Sequence, residues 1–180
     1  MKTYVALLRA VNVGGKSLPM EDLRSLCAEL DLLNVETYLQ SGNAVFDSPA
    51  AGIATLPAAL EAQIKQAFGF DVTVFILEPG DLQRIRQENP FLKQSGVDPE
   101  SLYVTFLQYP PAPRQWAALE GTDAAPDAFH PGEAEVYLSC PGGYGKTKLS
   151  NAFFEKKLSM PATTRNWKTV TALAQMADRG

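Results

Sequence analysis

Two spacings of apolar residues alternate along the chain. Residues 4–8 (YVALL) form a continuous apolar run stopped by Asn12, Gly14 and Gly15, the pattern of a strand buried on both faces and followed by a loop. Leu18, Met20, Leu23, Leu26, Cys27 and Leu30 then recur every three or four positions. Ser17 stands ahead of them as a cap, and Pro19, Glu21 and Asp22 suit a first turn, so a helix is expected. Residues 35–39 and 44–46 flank the polar turn Ser41-Gly42-Asn43 and read as a hairpin or two adjacent strands. Leu56, Leu60, Ile64 and Phe68 step by four along a second helix, and residues 72–77 close the set as another strand. This order, β-α-β-β-α-β, is the split βαβ arrangement of a ferredoxin-like unit.

The second half begins after a helical connector at residues 81–88 and a loop at Asn89-Pro90. Residues 102–107 form a strand ended by Pro110-Pro111, a helix follows at 114–119, and residues 128–130 pair with 135–139 across Pro131-Gly132-Glu133. Leu149, Phe153, Phe154 and Leu158 mark a long helix; Trp167, Val170, Leu173, Ala174 and Ala177 mark the last. The expected fold is α+β, with two ferredoxin-like subdomains at residues 1–78 and 79–180, the second carrying the C-terminal helix.

Charge changes this picture in one place. The chain has a formal net charge of −4 and a pI near 5.0, which excludes wholesale coating of nucleic acid. Yet residues 141–170 hold six cations (Lys146, Lys148, Lys156, Lys157, Arg165, Lys168) against one carboxylate, Glu155. Any polyanion contact is therefore local, and that stretch is where it belongs. Two cysteines, Cys27 and Cys140, are too few for a disulfide framework or a four-thiolate metal site, so a reducing, cytoplasmic setting is expected. Arg9 interrupts the N-terminal apolar run and no small-residue cleavage pattern follows, so that run reads as a strand and not a signal peptide. No apolar segment approaches the roughly 18 residues that span a bilayer.

Four polar motifs carry candidate chemistry. Residues 143–147 (GYGKT) lie between a predicted strand and a predicted helix, as a phosphate-binding P-loop does, but the P-loop spacing requires glycine where Cys140 stands. A shorter glycine loop can still turn N–H groups and Lys146 toward an anion, or can be a plain connection with solvated lysines. Residues 163–167 (TTRNW) are expected at the start of the last helix. There Asn166 or a threonine caps the helix, leaving Thr164, Arg165 and first-turn N–H groups for a ligand; the plainer reading is capping alone, with Trp167 a core anchor. Arg9 ends the first strand, with Asn12, Gly14, Gly15 and Lys16 in the loop beyond, as a ligand loop or with Arg9 paired inside the core. Ser41 and Asn43, beside Gln40, offer neutral donors or make a tight turn. The one histidine, His130, lies near its hairpin turn while Cys140 follows the far end, which separates them by more than about 10 Å at about 3.3 Å per residue and argues against a Cys-His pair. No carboxylate spacing singles out a general acid-base pair, so the question of catalysis stays open, and no cofactor or metal is indicated.

The blocks YVALLRAVNVGGKSLPMEDLRSL, TYLQSGNAVF, VYLSCPGGYGKTKL and TTRNWKTV, in this order, resemble the bacterial domain-of-unknown-function family numbered 1697. The resemblance implies two ferredoxin-like α+β subdomains and brings no reaction, cofactor or catalytic residue. Arg9, Asn12, Gly14, Gly15, Ser41, Gly42, Asn43, Gly145, Lys146, Arg165, Asn166 and Trp167 lie in the matching motifs.

Taken together, these motifs lead to the expectation that the Arg9–Lys16 loop, the SGN turn and TTRNW converge across the two halves on a phosphorylated small molecule or nucleotide. Arg165 and Lys146 would supply charge, and Trp167 or Tyr144 a stacking face. The rivals are a single-stranded nucleic-acid module, whose usual strand signature of basic residue, glycine and alternating aromatics is absent here, and a structural or protein-interaction domain.

Overall fold

The computed structural model describes residues 1–49 and 51–179. In chain order the elements are β1 (Lys2–Arg9), α1 (Met20–Glu29), β2 (Leu33–Thr37), β3 (Asn43–Ser48), α2 (Leu56–Phe68), β4 (Thr73–Leu77), α3 (Pro79–Glu88), β5 (Leu102–Leu107), α4 (Pro113–Ala117), β6 (Ala128–Pro131), β7 (Glu135–Ser139), α5 (Asn151–Leu158), β8 (Ala162–Asn166) and α6 (Trp167–Ala177), with short 3₁₀ turns between some of them. They form two antiparallel four-stranded sheets, ordered β2-β3-β1-β4 and β6-β7-β5-β8. Both orders are that of a β-α-β-β-α-β unit whose first and third strands pair at the centre. By contacts the chain divides into one unit of Met1–Arg84 with the segment from Ala172 onward, and a second of Ile85–Thr171.

In the first unit β1 pairs with β3 (Leu7 opposite Asn43) and with β4 (Arg9 opposite Thr73). Tyr4, Ala6 and Leu8 pack with Leu23, Leu26 and Cys27 of α1 and with Leu56, Leu60 and Ile64 of α2, the residues whose spacing predicts those helices. Val5 and Leu7, which point to the opposite face, are also fully buried. A continuous apolar run is what a strand covered on both faces requires.

The second unit repeats the plan. Leu107, Val136, Leu138 and Ala162 of its sheet pack against Phe154 and Leu158 of α5, while Leu102, Val104 and Phe106 on the other face of β5 are buried as well. Phe154 sits edge-on to both Phe129 and Phe153.

Three local expectations are corrected. Residues 162–166 are a strand, β8, paired with β5, and not the opening of the last helix. Its sequence, ATTRN, is the polar edge of a sheet and gives no apolar signal; its β-branched threonines suit a strand better than a helix. Ser17 makes no cap: α1 starts after Pro19, with no side-chain cap bond. β2 ends at Thr37, two residues before the predicted end, because Leu39 adopts φ +59° and is 54% exposed.

Candidate functional site

Antiparallel pairing places the end of β1, the starts of β3 and β4 and the end of β2 at one end of the first sheet. Arg9, Asn12, Gly14, Gly15, Lys16, Ser41 and Asn43 therefore share that end. Their polar groups are largely committed to the backbone. Asn12 Nδ2 donates to the carbonyls of Leu18 (2.9 Å) and Gln40 (2.6 Å), and Asn12 Oδ1 accepts from the Leu18 N–H (2.8 Å). Asn43, fully buried, donates to the Tyr38 carbonyl and to Ser41 Oγ. Lys16 Nζ donates to the Asp71 carbonyl (3.0 Å) and lies 5.8 Å from the centre of the Phe70 ring. Arg9 is half-buried.

The glycines here differ in cause. Gly14 (φ +57°) and Gly15 (φ +83°) are the central residues of a tight turn closed by the Lys16 N–H on the Val13 carbonyl, and space around them is open. Gly42 (φ +77°) accepts from the Leu8 N–H at its carbonyl, and a Cβ there would stand 2.5 Å from Val11 Cγ2 and 2.9 Å from Leu8 Cβ. Residues Asn12 to Ser17 line an open hollow of about 260 Å³.

At the second sheet, the start of β5 and the ends of β7 and β8 share one end, since Leu102 faces Ser139 and Tyr103 faces Asn166. The β7–α5 loop carrying Lys146 and Lys148, and the β8–α6 junction carrying Asn166, Trp167 and Lys168, both emerge there. The glycine loop closes on itself: the Gly143 N–H bonds the Cys140 carbonyl, the Lys146 N–H that of Gly143, and the Thr147 N–H that of Tyr144. It forms a 3₁₀ turn, Tyr144–Lys146, rather than a ring of inward N–H groups around an anion.

A partly buried polar network fixes that loop to the sheet. Thr164 Oγ1 donates to Asn151 Oδ1 (2.7 Å), accepts from Tyr144 OH (3.1 Å) and shares a 2.8 Å hydrogen bond with Thr105 Oγ1. The Tyr144 ring packs 5.2 Å from that of Tyr103. Thr164 is thus saturated as one donor and two acceptors, with no base beside it to make it a nucleophile. Arg165, expected to present its fork, is 7% exposed; its Nη1 donates to Thr163 Oγ1 (2.8 Å) and the Thr164 carbonyl (2.9 Å). Asn166 does cap α6, accepting from the Thr169 N–H (2.8 Å), while Trp167 is only partly buried. Lys146, Lys148 and Lys168 are exposed, and none enters an ion pair among the described residues.

The twelve predicted site residues thus fall into two groups, seven in the first unit and five in the second. Sequence reasoning missed the network around Thr164: its partner Thr105, and Tyr103 packed on Tyr144, are about sixty residues away and carry no motif. It also missed a cluster around Asp47, which accepts from Thr3 Oγ1 (2.8 Å) and Asn34 Nδ2 (2.7 Å) and is approached by Arg179 at 3.4 Å, itself 2.8 Å from Glu36. The hydrogen bond from Asn34, helped by Thr3 and Arg179, holds the Asp47 carboxyl below its ordinary value against a desolvation that opposes it.

Both thiols are buried. Burial pushes Cys27 up to about 12; it also raises Cys140, opposed by the Thr147 hydroxyl and aided by Asp127. At both, burial works against the thiolate form. His130 is exposed with Nδ1 2.8 Å from the Pro131 carbonyl. Among the described residues no group of three His, Cys, Asp or Glu side chains could hold a metal ion, and no helix is long and apolar enough to cross a membrane.

A family model described as "Protein of unknown function (DUF1697)" matches residues 1–137. Among curated proteins none matches the sequence. A solved structure, that of conserved bacterial protein SP0830 from Streptococcus pneumoniae, is similar with a TM-score of 0.76 and 24% identity, over 98% of each chain. At that identity it shows the fold.

Proposed function

This chain belongs to the DUF1697 family, and from that premise we propose that it binds a phosphate-bearing small molecule or nucleotide at the end of the second sheet where the β7–α5 loop and the β8–α6 junction emerge. One observation carries the reading: Lys146, Lys148 and Lys168 stand exposed at a single sheet end, outside any ion pair among the described residues, beside a loop held rigid through Tyr144 and Thr164. An ammonium pairs with phosphate as a point charge, and a fixed loop lowers the ordering cost of binding. Arg165 belongs to the support of this site, since its guanidinium is buried.

Isothermal titration with AMP, ribose 5-phosphate and inorganic phosphate tests it. Replacing both Lys146 and Lys168 by alanine should weaken binding by about tenfold or more, and added salt should weaken the wild type in the same direction. Absence of binding to all three at millimolar concentration rejects the proposal. The single-stranded nucleic-acid reading has less support. Ferredoxin-like sheets that read bases do so with aromatics on an open face, whereas Val5, Leu7, Leu102, Val104 and Phe106 are all buried. Binding of an octathymidylate far tighter than AMP, with a steep salt dependence, would favour it.

A further inference from the structure

Resting on the phosphate-binding reading above, we propose that the ligand is a nucleoside phosphate whose base stacks on Trp167. Tyr103, Phe129, Tyr144 and Trp167 are partly buried aromatic residues at this sheet end, and Phe129 is already packed edge-on against Phe154. The two tyrosines are already engaged. Their rings pack on one another at 5.2 Å, and Tyr144 OH donates to Thr164. Trp167 makes no ring contact among the described residues.

Its place in the chain is fixed. It follows Asn166, whose backbone pairs with that of Tyr103, and it opens the stripe that continues through buried Val170 and Ala174. The packed stripe anchors the indole while part of its surface stays in contact with water. Covering that surface with a planar base is favourable, and a sugar phosphate alone cannot do it. Asn166 adds a polar reader: its Oδ1 is held by the Thr169 N–H, while its exposed amide N–H group can donate to a ring nitrogen or carbonyl of a base. Lys168 on one side and Lys146 from the adjoining loop supply the charge for the phosphate. An aromatic face, an amide donor and cations within one strand-to-helix junction and its neighbouring loop are the parts a nucleotide uses, and a phosphorylated sugar would leave the first two idle.

The test compares AMP with ribose 5-phosphate, which shares its phosphate and sugar but lacks the base, by titration of the wild-type protein at equal ionic strength. AMP should bind about tenfold or more tightly. Trp167→Ala should weaken AMP by about fivefold to 100-fold and leave ribose 5-phosphate unchanged, and Trp167→Phe should restore part of the loss. With Trp116→Phe removing the other indole, AMP should quench the Trp167 emission. Equal affinity of the wild type for the two ligands overturns the stacking while phosphate binding stands. Binding of neither overturns both.

Discussion

The two sheets share a strand order, yet their loop ends treat polar residues in opposite ways. At the first, Asn12, Asn43 and Lys16 are turned onto main-chain carbonyls of Leu18, Gln40, Tyr38 and Asp71, and Gly42 is wedged against Leu8 and Val11. At the second, a partly buried side-chain network around Thr164 fastens the loop to the sheet, and its lysines are left to solvent. The lesson is about orphan groups. A loop that folds over its own sheet must satisfy its buried N–H and C=O groups, and nearby asparagines and lysines are taken up in doing so. A loop that bonds itself into a 3₁₀ turn leaves its charged side chains available.

The strongest way to break this contrast is at Gly42. Gly42→Ala combines a left-handed backbone with a hard contact and should cost about 2–5 kcal/mol, while Gly14→Ala, with open space around it, should cost about 1–2 kcal/mol; urea midpoints at unchanged slope measure both. Equal losses would mean that Gly42 serves only its backbone angle. Next is Asn12→Ala, which removes three bonds and strands both polar groups of Leu18, an expected loss of about 2–3 kcal/mol. Thr164→Val should cost about 1–2 kcal/mol by removing the bonds to Asn151 Oδ1 and Thr105 Oγ1 and the one from Tyr144 OH, whereas Lys146→Ala should stay within about 0.5 kcal/mol of the wild type.

The smallest effect concerns acid. Because Asp47 is held below its ordinary 3.8, the stability it contributes is complete above that value and is lost as the pH falls through the lowered folded value. Asn34→Ala removes its foremost partner, so the variant's deficit should be present at neutral pH and shrink toward pH 2–3. Thermal melts across that range measure it. A deficit independent of pH would show that Asn34 acts through the backbone and not through the Asp47 carboxylate.

Much of the fold was legible because apolar spacing is set by strand and helix geometry. Leu56, Leu60, Ile64 and Phe68 mark α2, and the run from Tyr4 to Leu8 marks β1, whatever lies around them. β8 was hidden because an edge strand of threonines, an arginine and an asparagine has the same letters as a helix cap, and its pairing with β5, about sixty residues away, has no local trace. The candidate site was legible only as composition. The surplus of lysines between residues 141 and 170 pointed to the region, but the placement of Arg165 was misread, since a guanidinium at a predicted helix start and one buried on a strand are identical in sequence.

What the sequence by itself determined, then, is the alternation of strands and helices and the position of the basic stretch; both follow from properties carried by residues a few positions apart. Only the tertiary structure decided which polar side chains are structural and which stay exposed. That depends on which backbone groups are left unsatisfied when distant strands meet, and no local spacing encodes it.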